Sequence, residues 1–155
     1  MKSAYLLLIV LPALSLAGCS AFTERSTGVV QDELTDCPSW PRCVSSATNA
    51  ERRVEPFVLA MPAERGWRIA RNAVANMERT TVVNETADYL HAEIKSPWNF
   101  YTDDLELLLK PATAGQAARI EVRSSGRIGY FDFHVNRERV EGLRQSLIQK
   151  GVVSP

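Results

Sequence analysis

Hydrophobic residues recur at helical spacing in two segments of the chain. The first predicts a helix over residues 62–78, and its apolar positions are Trp67, Ala70, Val74 and Met77. The second predicts a helix over residues 137–150, preceded by Asn136 as a suitable N-cap, and its apolar positions are Val140, Leu143 and Leu147. Each helix therefore has one apolar face to bury.

Four segments between these helices have the pattern of strands, and they are Thr80–Thr86, Tyr89–Lys95, Asp104–Lys110 and Ala117–Arg123. The first is rich in β-branched residues, and the other three alternate apolar and polar positions. Such alternation indicates strands with one buried and one solvated face. Short connections between the segments favour antiparallel pairing.

These elements predict an α+β fold, a two-layer sandwich in which a four-stranded antiparallel sheet carries both helices on one face, in the order α-β-β-β-β-α. Upstream, residues 44–62 show a mixed pattern with one short extended piece at residues 54–59. The sequence therefore predicts a single globular domain over residues 37–155.

The N-terminal residues have the pattern of an export signal. A basic head at Lys2 precedes an apolar run of 12 residues, Ala4–Ser15, which is shorter than the roughly 20 residues that a membrane-spanning helix needs. The run Leu16-Ala17-Gly18-Cys19 matches a lipobox. A secretory signal followed by an unrelated cysteine is the alternative.

A lipobox implies removal of residues 1–18, acylation of Cys19 with palmitate-type chains, and attachment to a membrane. Residues 19–36 are polar and predict a flexible tether. The domain would then lie on the exported side, periplasmic or extracellular, of the cell membrane or outer membrane. Because no aspartate directly follows Cys19, sorting to the outer membrane is favoured if the cell is Gram-negative.

Charge excludes one class of partner. The chain has 18 basic and 18 acidic residues, and removal of Lys2 would leave 17 against 18, a net charge of −1. No overall positive field would attract nucleic acid. The basic residues are 14 arginines and 4 lysines, and arginine suits paired, planar contacts to carboxylate or phosphate.

Cys37 and Cys43 predict a disulfide, because an even pair in an exported protein is typical of one. A metal site would need more ligands than His91 and His134 supply, and their spacing is not that of a metal motif. A redox-active pair remains an alternative, although the spacing is not Cys-x-x-Cys.

One polar cluster is a candidate site, at the junction of the last strand and the last helix. Its candidate binding residues are Arg123, Ser124, Ser125, Arg127, Asp132, Asn136 and Arg137, with Asp103 and Asp104 on the third strand. Arginines and hydroxyls beside a helix N-terminus can bind an anion. Alternatively, the arginines pair internally with Asp103, Asp104 and Asp132.

Catalysis has weaker support. Ser124 or Ser125 with His134 and Asp132 would supply the residue types of a triad, but no Gly-x-Ser-x-Gly elbow is present. No phosphate-binding glycine loop, dinucleotide motif or zinc motif occurs either. We therefore expect no catalytic residues, no metal and no cofactor.

Three motifs resemble the family called domain of unknown function 1499, over about residues 35–150. They are Cys37-Pro38-x-x-Pro41-x-Cys43-Val44-Ser45-Ser46, then Asp103-Asp104-x-Glu106, then Arg123-Ser124-x-x-Arg127-x-Gly129-Tyr130-x-Asp132-x-x-Val135-Asn136-Arg137-x-Arg139-Val140-Glu141. The chain departs from the family pattern at Arg42, Gly126 and His134. The resemblance implies export or membrane association, and it brings no activity, substrate or cofactor.

The sequence therefore favours a non-catalytic envelope lipoprotein whose domain binds an anionic small molecule or a protein partner near Arg123, Arg127 and Asn136. A purely structural or assembly role in the envelope is the alternative. A hydrolase using Ser125 or Asp132 is a third hypothesis.

Overall fold

Residues 27–48 and 50–155 are described by a computed structural model, and the predicted signal peptide and Cys19 lie outside these residues. The helices are α1 (Ala63–Ala75) and α2 (Val135–Gln149), and a short 3₁₀ helix spans Ala50–Arg52. The strands of the described chain are β1 (Val29–Val30), β2 (Glu33–Leu34), β3 (Cys43–Ser45), β4 (Phe57–Val58), β5 (Thr80–Glu85), β6 (Tyr89–Lys95), β7 (Thr102–Lys110) and β8 (Arg119–Gly126).

The main sheet has six strands among the described residues, and its neighbouring strands are antiparallel. Its order is β3-β8-β7-β6-β5, and β4 also pairs with β8. Strands β3 and β4 share one edge of β8, with Ser45 opposite Arg123 and Phe57 opposite Ile120. A separate two-stranded sheet is formed by β1 and β2.

The prediction of a four-stranded antiparallel sheet with two helices on one face, in the order α-β-β-β-β-α, is therefore wrong. The sequence pattern predicted the four strands β5 to β8, because each is six residues or longer. Strands β1 to β4 have only two or three residues. Such lengths are too short for period-two alternation to develop, and their pairing depends on tertiary contacts.

One hydrophobic core joins both helices to the sheet. Its strand residues include Leu90, Ile94, Leu105, Leu107, Ile120 and Val122, and its helix residues include Trp67, Ala70, Val74, Val140, Leu143 and Leu147. The alternation in β7 explains this arrangement, because Leu105 and Leu107 point into the core while Asp104 and Glu106 point to the opposite face.

The opposite face of the sheet is partly buried as well, which the alternation did not predict. Leu34 of β2 packs against Tyr89 and Leu108 on this face. Residues 28–34 of the predicted tether thus form a hairpin on the sheet, whose β1 and β2 pair antiparallel. Polar residues of β7 and β8 on this face consequently lose their solvent.

The predicted disulfide is confirmed. Cys37 and Cys43 are bonded, with 5.6 Å between their Cα atoms. The bond closes a loop directly before β3, at the end of the sheet where β8 terminates, since Cys43 lies opposite Ser125. Neither helix of the described chain has the length and apolar character needed to cross a bilayer.

Candidate functional site

The first polar network lies on the hairpin-covered face of the sheet and centres on Asp104. Arg127 donates from Nε to Asp104 Oδ2 at 2.9 Å and from Nη2 to Oδ1 at 2.6 Å. The same Nη2 lies 2.5 Å from Glu93 Oε1, and His91 Nε2 lies 2.6 Å from Asp104 Oδ1. Sheet register explains the cluster, because Glu93 of β6 lies opposite Asp104 of β7. We call these four residues the Asp104 network.

The second network is deeper and centres on Glu106. Arg123 Nη1 donates to Glu106 Oε2 at 2.6 Å, and the two side chains are only 2 % and 0 % exposed. Glu106 Oε1 accepts from the Tyr89 hydroxyl at 2.7 Å and from the Gly28 amide at 2.6 Å. Glu106 and Arg123 are cross-strand partners. We call this set the Glu106 network.

The pKa values follow from burial opposed by pairing. Burial would raise the pKa of Asp104, but hydrogen bonds from Arg127 and His91 outweigh it and hold that pKa at about 2. The hydrogen bond to Asp104 raises the pKa of Arg127 further. Burial, with the adjacent Glu106 carboxylate, raises the pKa of Tyr89. Asp104 and Arg127 are thus charged, and the Tyr89 hydroxyl keeps its proton.

A third network lies on the helix-covered face and joins β7, β8 and α2. Arg139 Nη2 donates to Asp103 Oδ2 at 2.8 Å, and its Nη1 donates to Ser124 Oγ at 3.0 Å and to Asn136 Oδ1 at 2.5 Å. Ser124 Oγ in turn donates to Asn136 Oδ1 at 2.6 Å. Burial raises the pKa of Asp103 even though Arg139 opposes the shift. We call this the Asn136 network.

Asp132 fixes the start of α2. Its carboxylate accepts from the backbone amides of His134 and Asn136, both at 3.1 Å, and from Asn136 Nδ2 at 2.9 Å. Asn136 lies in the first turn of α2 rather than at its N-cap, since the helix begins at Val135. A carboxylate bound to free amides at a helix N-terminus is a stabilising arrangement.

Arg42 ties the disulfide loop to the segment after β8. It donates from Nε to the Gly126 carbonyl at 2.9 Å and also donates to the carbonyls of Gly129 and Arg127. The sequence marked Arg42 only as a departure from the family pattern. Gly126, another departure, has Arg42 Cδ and Asp103 Oδ1 3.4 Å from where a Cβ would lie, which is ordinary van der Waals contact.

The remaining candidate residues are also engaged with the protein itself. Arg137 donates to the backbone carbonyls of Arg53 at 3.0 Å and Glu51 at 2.6 Å. Ser125 Oγ is buried and donates to the Gly126 carbonyl at 3.4 Å. Among the hydrogen bonds of the described residues, none joins Ser124 or Ser125 to His134, so the triad geometry is not formed there.

The alternative prediction, that the arginines pair internally with aspartates, has the right type of contact but only some of the right partners. Arg127 pairs with Asp104, whereas Arg123 pairs with Glu106 and Asp103 pairs with Arg139. Within the described part of the chain, His, Cys, Asp and Glu side chains form no group of three suited to a metal ion. The networks are chemically suited to neutralising buried charge and fixing the loops above them.

Two loops above these networks expose apolar side chains that the sequence reasoning missed. They are residues 96–101, between β6 and β7, and residues 127–135, from the end of β8 to the first residue of α2. Together we call them the aromatic surface. Their exposed large apolar residues are Trp98, Phe100, Tyr101, Ile128, Tyr130, Phe131, Phe133 and Val135. The chain has 12 aromatic residues, and six of them lie in these 15 positions, a density that could have signalled the surface.

The two loops meet at one end of the sheet. A cleft of about 250 Å³ lies between them, lined by Tyr101 from the first loop and by Ile128, Phe131 and Phe133 from the second. Trp40 of the disulfide loop packs edge-on against Tyr130, with ring centroids 5.3 Å apart. Three connections from different parts of the chain therefore form one end of the molecule.

Fold and site together define a small α+β protein that buries several charged side chains in pairs and whose largest apolar exposure, in the described part of the chain, lies on loops. The chain belongs to the family described as protein of unknown function (DUF1499), whose model matches residues 33–147. The matched part contains the three networks, except for Gly28, and the aromatic surface. A search of curated proteins finds no match to the chain.

Proposed function

We propose that this protein is a lipid-anchored lipoprotein of the cell envelope that acts by binding rather than by catalysis. The lipobox ending at Cys19 supports the anchor. The disulfide supports an oxidising compartment, which agrees with a domain on the exported side of a membrane. The domain would then be an accessory module held close to the bilayer.

The observation that carries a binding role is the concentration of exposed apolar side chains on the aromatic surface. Exposed apolar patches of this kind are typical of interaction sites. Arg123 and Arg127 are paired with carboxylates, so an anion would have to displace Glu106 or Asp104 from a buried pair. Arg137 is engaged by backbone carbonyls. The three networks therefore have the structural role, and the aromatic surface has the binding role.

A hydrolase has no comparable support. A serine nucleophile needs a base within hydrogen-bonding reach, whereas Ser124 Oγ contacts Asn136 and Arg139. His134 is exposed, and its backbone amide, rather than its ring, contacts Asp132.

Metabolic labelling tests the anchor. A bacterium that acylates lipoproteins is fed a palmitate analogue while it expresses the full chain, Cys19→Ser, or the control Cys37→Ser/Cys43→Ser. We expect label and membrane fractionation for the wild type and the control, and loss of both for Cys19→Ser. An unlabelled wild-type chain in a host that labels its own lipoproteins would overturn the anchor.

Titration with inorganic phosphate tests the division of roles. If the arginines are structural, phosphate raises the melting temperature of the wild type no more than that of the Arg127→Met variant, and the rise is not saturable. A saturable rise in the melting temperature of the wild type, absent in Arg127→Met, would support anion binding at Arg127 and overturn this division of roles.

A further inference from the structure

We propose that the aromatic surface inserts into the headgroup region of a lipid bilayer, giving the domain a second membrane contact besides Cys19. This inference rests on the proposed function for its location at a membrane. It goes further by assigning an occupant to the aromatic surface and an orientation to the domain. The bilayer is the proposed partner, and a protein partner or a second copy of the chain is an outcome of the test.

Exposure at the loop tips is the first argument. Phe133, Trp98 and Phe100 are 87 %, 78 % and 76 % exposed. In the described chain, 12 large apolar residues are exposed, and eight of them belong to the aromatic surface. Trp98, Phe100 and Phe133 are the most exposed projections of the two loops, whereas Tyr130 packs edge-on against Trp40 and Phe131. A bilayer accepts such projections without a shape-matched pocket, whereas a protein partner must provide one.

The type of residue is the second argument. Tryptophan and tyrosine combine an apolar ring with a polar edge and are enriched at membrane–water interfaces. Trp98, Tyr101 and Tyr130 supply that chemistry beside the purely apolar Phe100 and Phe133. This mixture suits the boundary between headgroups and acyl chains better than the hydrocarbon interior.

Charge is the third argument. Asp132 is the one acidic residue in residues 96–101 and 127–135, and its carboxylate is occupied by amides at the start of α2. Lys95, at the base of the first loop, is exposed. The aromatic surface therefore presents no free carboxylate to repel anionic headgroups, and the adjacent lysine would favour them.

The loops are held in place before any contact is made. The amide of Asn99 donates to the Ser96 carbonyl at 2.9 Å, and the amide of Tyr101 donates to Ser96 Oγ at 3.1 Å. Arg42 donates to the carbonyls of Gly126, at the end of β8, and of Gly129, in the second loop. Preorganised side chains lose less conformational entropy on binding.

The path of the chain toward Cys19 is the last argument. Gly28 contacts Glu106, whereas Asp32, at the hairpin turn, contacts Lys110, farther from the aromatic surface along β7. Strand β1 therefore runs away from the aromatic surface. Its first residues lie at the end of the hairpin nearer to that surface, and the preceding chain joins β1 there. Eight residue steps separate Cys19 from Thr27, enough to span up to about 28 Å. The level of Glu106 is four residues, or about 13 Å, from the start of β7. An acyl anchor and the aromatic surface can thus reach the same bilayer.

Vesicle sedimentation tests the proposal without the anchor. The unacylated chain of residues 20–155 retains every contact described above and is mixed with phosphatidylcholine vesicles, with and without phosphatidylglycerol. Trp98→Ser/Phe133→Ser removes two tips of the aromatic surface. Val30→Ser/Val58→Ser is the matched control, because both valines are exposed elsewhere. Circular dichroism checks that all variants are folded.

We expect wild type and control to partition alike into vesicles, and the aromatic variant to partition at least about tenfold less, given the apolar area removed. No partition of the wild type would overturn the bilayer contact, while palmitate labelling of Cys19 would still decide the anchor separately. An equal loss in both variants would also overturn it. A concentration-dependent dimer that the aromatic variant abolishes would replace the bilayer with a second copy.

Discussion

At the scale of single residues, the protein depends on charges that are buried and paired. A buried ion pair can contribute little net stability compared with apolar residues, yet removal of one partner is costly because the other charge remains buried. The Glu106 and Asp104 networks are of this kind. The effects of substitutions in these networks should therefore be measured for both single variants and for the double variant of each pair.

Arg123→Met should lower the free energy of unfolding by about 3–5 kcal/mol, because it leaves the Glu106 carboxylate buried without its cation. Arg123→Met/Glu106→Leu should cost less than the sum of the two single substitutions. Urea unfolding measures all three, and the exposed pair of Arg79 and Glu78 provides a control expected to cost below about 1 kcal/mol. Additive effects at Arg123 and Glu106 would refute their coupling.

The low pKa of Asp104 predicts that the folded protein loses stability in acid. Its pKa is about 2 in the folded protein and 3.8 in its ordinary state, so the folded state favours the carboxylate. The stabilisation is complete above about pH 4 and is lost as pH falls toward 2, amounting to about 2 kcal/mol. Asp104→Asn should flatten the unfolding free energy over this range, and the exposed control Asp36→Asn should not. An unchanged acid profile in Asp104→Asn would contradict the pKa assignment.

The sequence identified much of this chemistry but not its pairing. Arg123, Arg127, Asp103 and Asp104 were recognised as one cluster because polar residues are concentrated between the last strand and the last helix, and the two aspartates lie on the third strand beside them. Their partners Glu93 and Arg139 were missed, since partner choice depends on strand register and on which face of β7 each residue occupies. Arg42 was missed because its three acceptors are backbone carbonyls, which carry no sequence signal.

At the scale of elements, the end of the sheet next to the aromatic surface is fixed by the disulfide and by Arg42. The sequence predicted both helices to within a few residues, since each has a clear apolar face. It also predicted the four long strands. It missed β1 to β4 because these short strands are defined by their pairing and not by a pattern of their own.

Removal of the disulfide should destabilise the domain modestly. Cys37→Ser/Cys43→Ser should lower the unfolding free energy by about 2 kcal/mol, because the closed loop is short. Chemical denaturation measures this loss. Free-thiol labelling of the oxidised protein should find no thiol at either position, and labelling of both would contradict the bond.

Arg42→Lys should not substitute for arginine, because a single ammonium group cannot reach carbonyls that a guanidinium fork contacts together. We expect a loss of about 2 kcal/mol and faster hydrogen exchange at the Gly126 amide, which donates to the Arg42 carbonyl. The exposed Arg68→Lys on α1 is the control. Exchange unchanged from the wild type would show that the Arg42 side chain does not hold the end of β8.

At the scale of the whole molecule, buried charge and exposed aromatic residues have different roles. Helices cover one face of the sheet and the N-terminal hairpin covers the other, so the loops at one end carry most of the apolar exposure. The sequence shows a high density of aromatic residues in these loops, but it could not show their exposure, because an aromatic residue in a loop has the same pattern whether it is buried or exposed. Only the fold distinguishes the two cases.

Hydroxyl-radical footprinting of the acylated protein in vesicles tests this account most directly, with the unacylated chain in solution as its reference. The account predicts slower oxidation of Trp98 and Phe133 in vesicles, and an unchanged rate at Met61, which precedes α1 at the opposite end of the sheet. Equal oxidation of the loop aromatics in both samples would contradict it, because the domain would then hang from Cys19 without touching the bilayer.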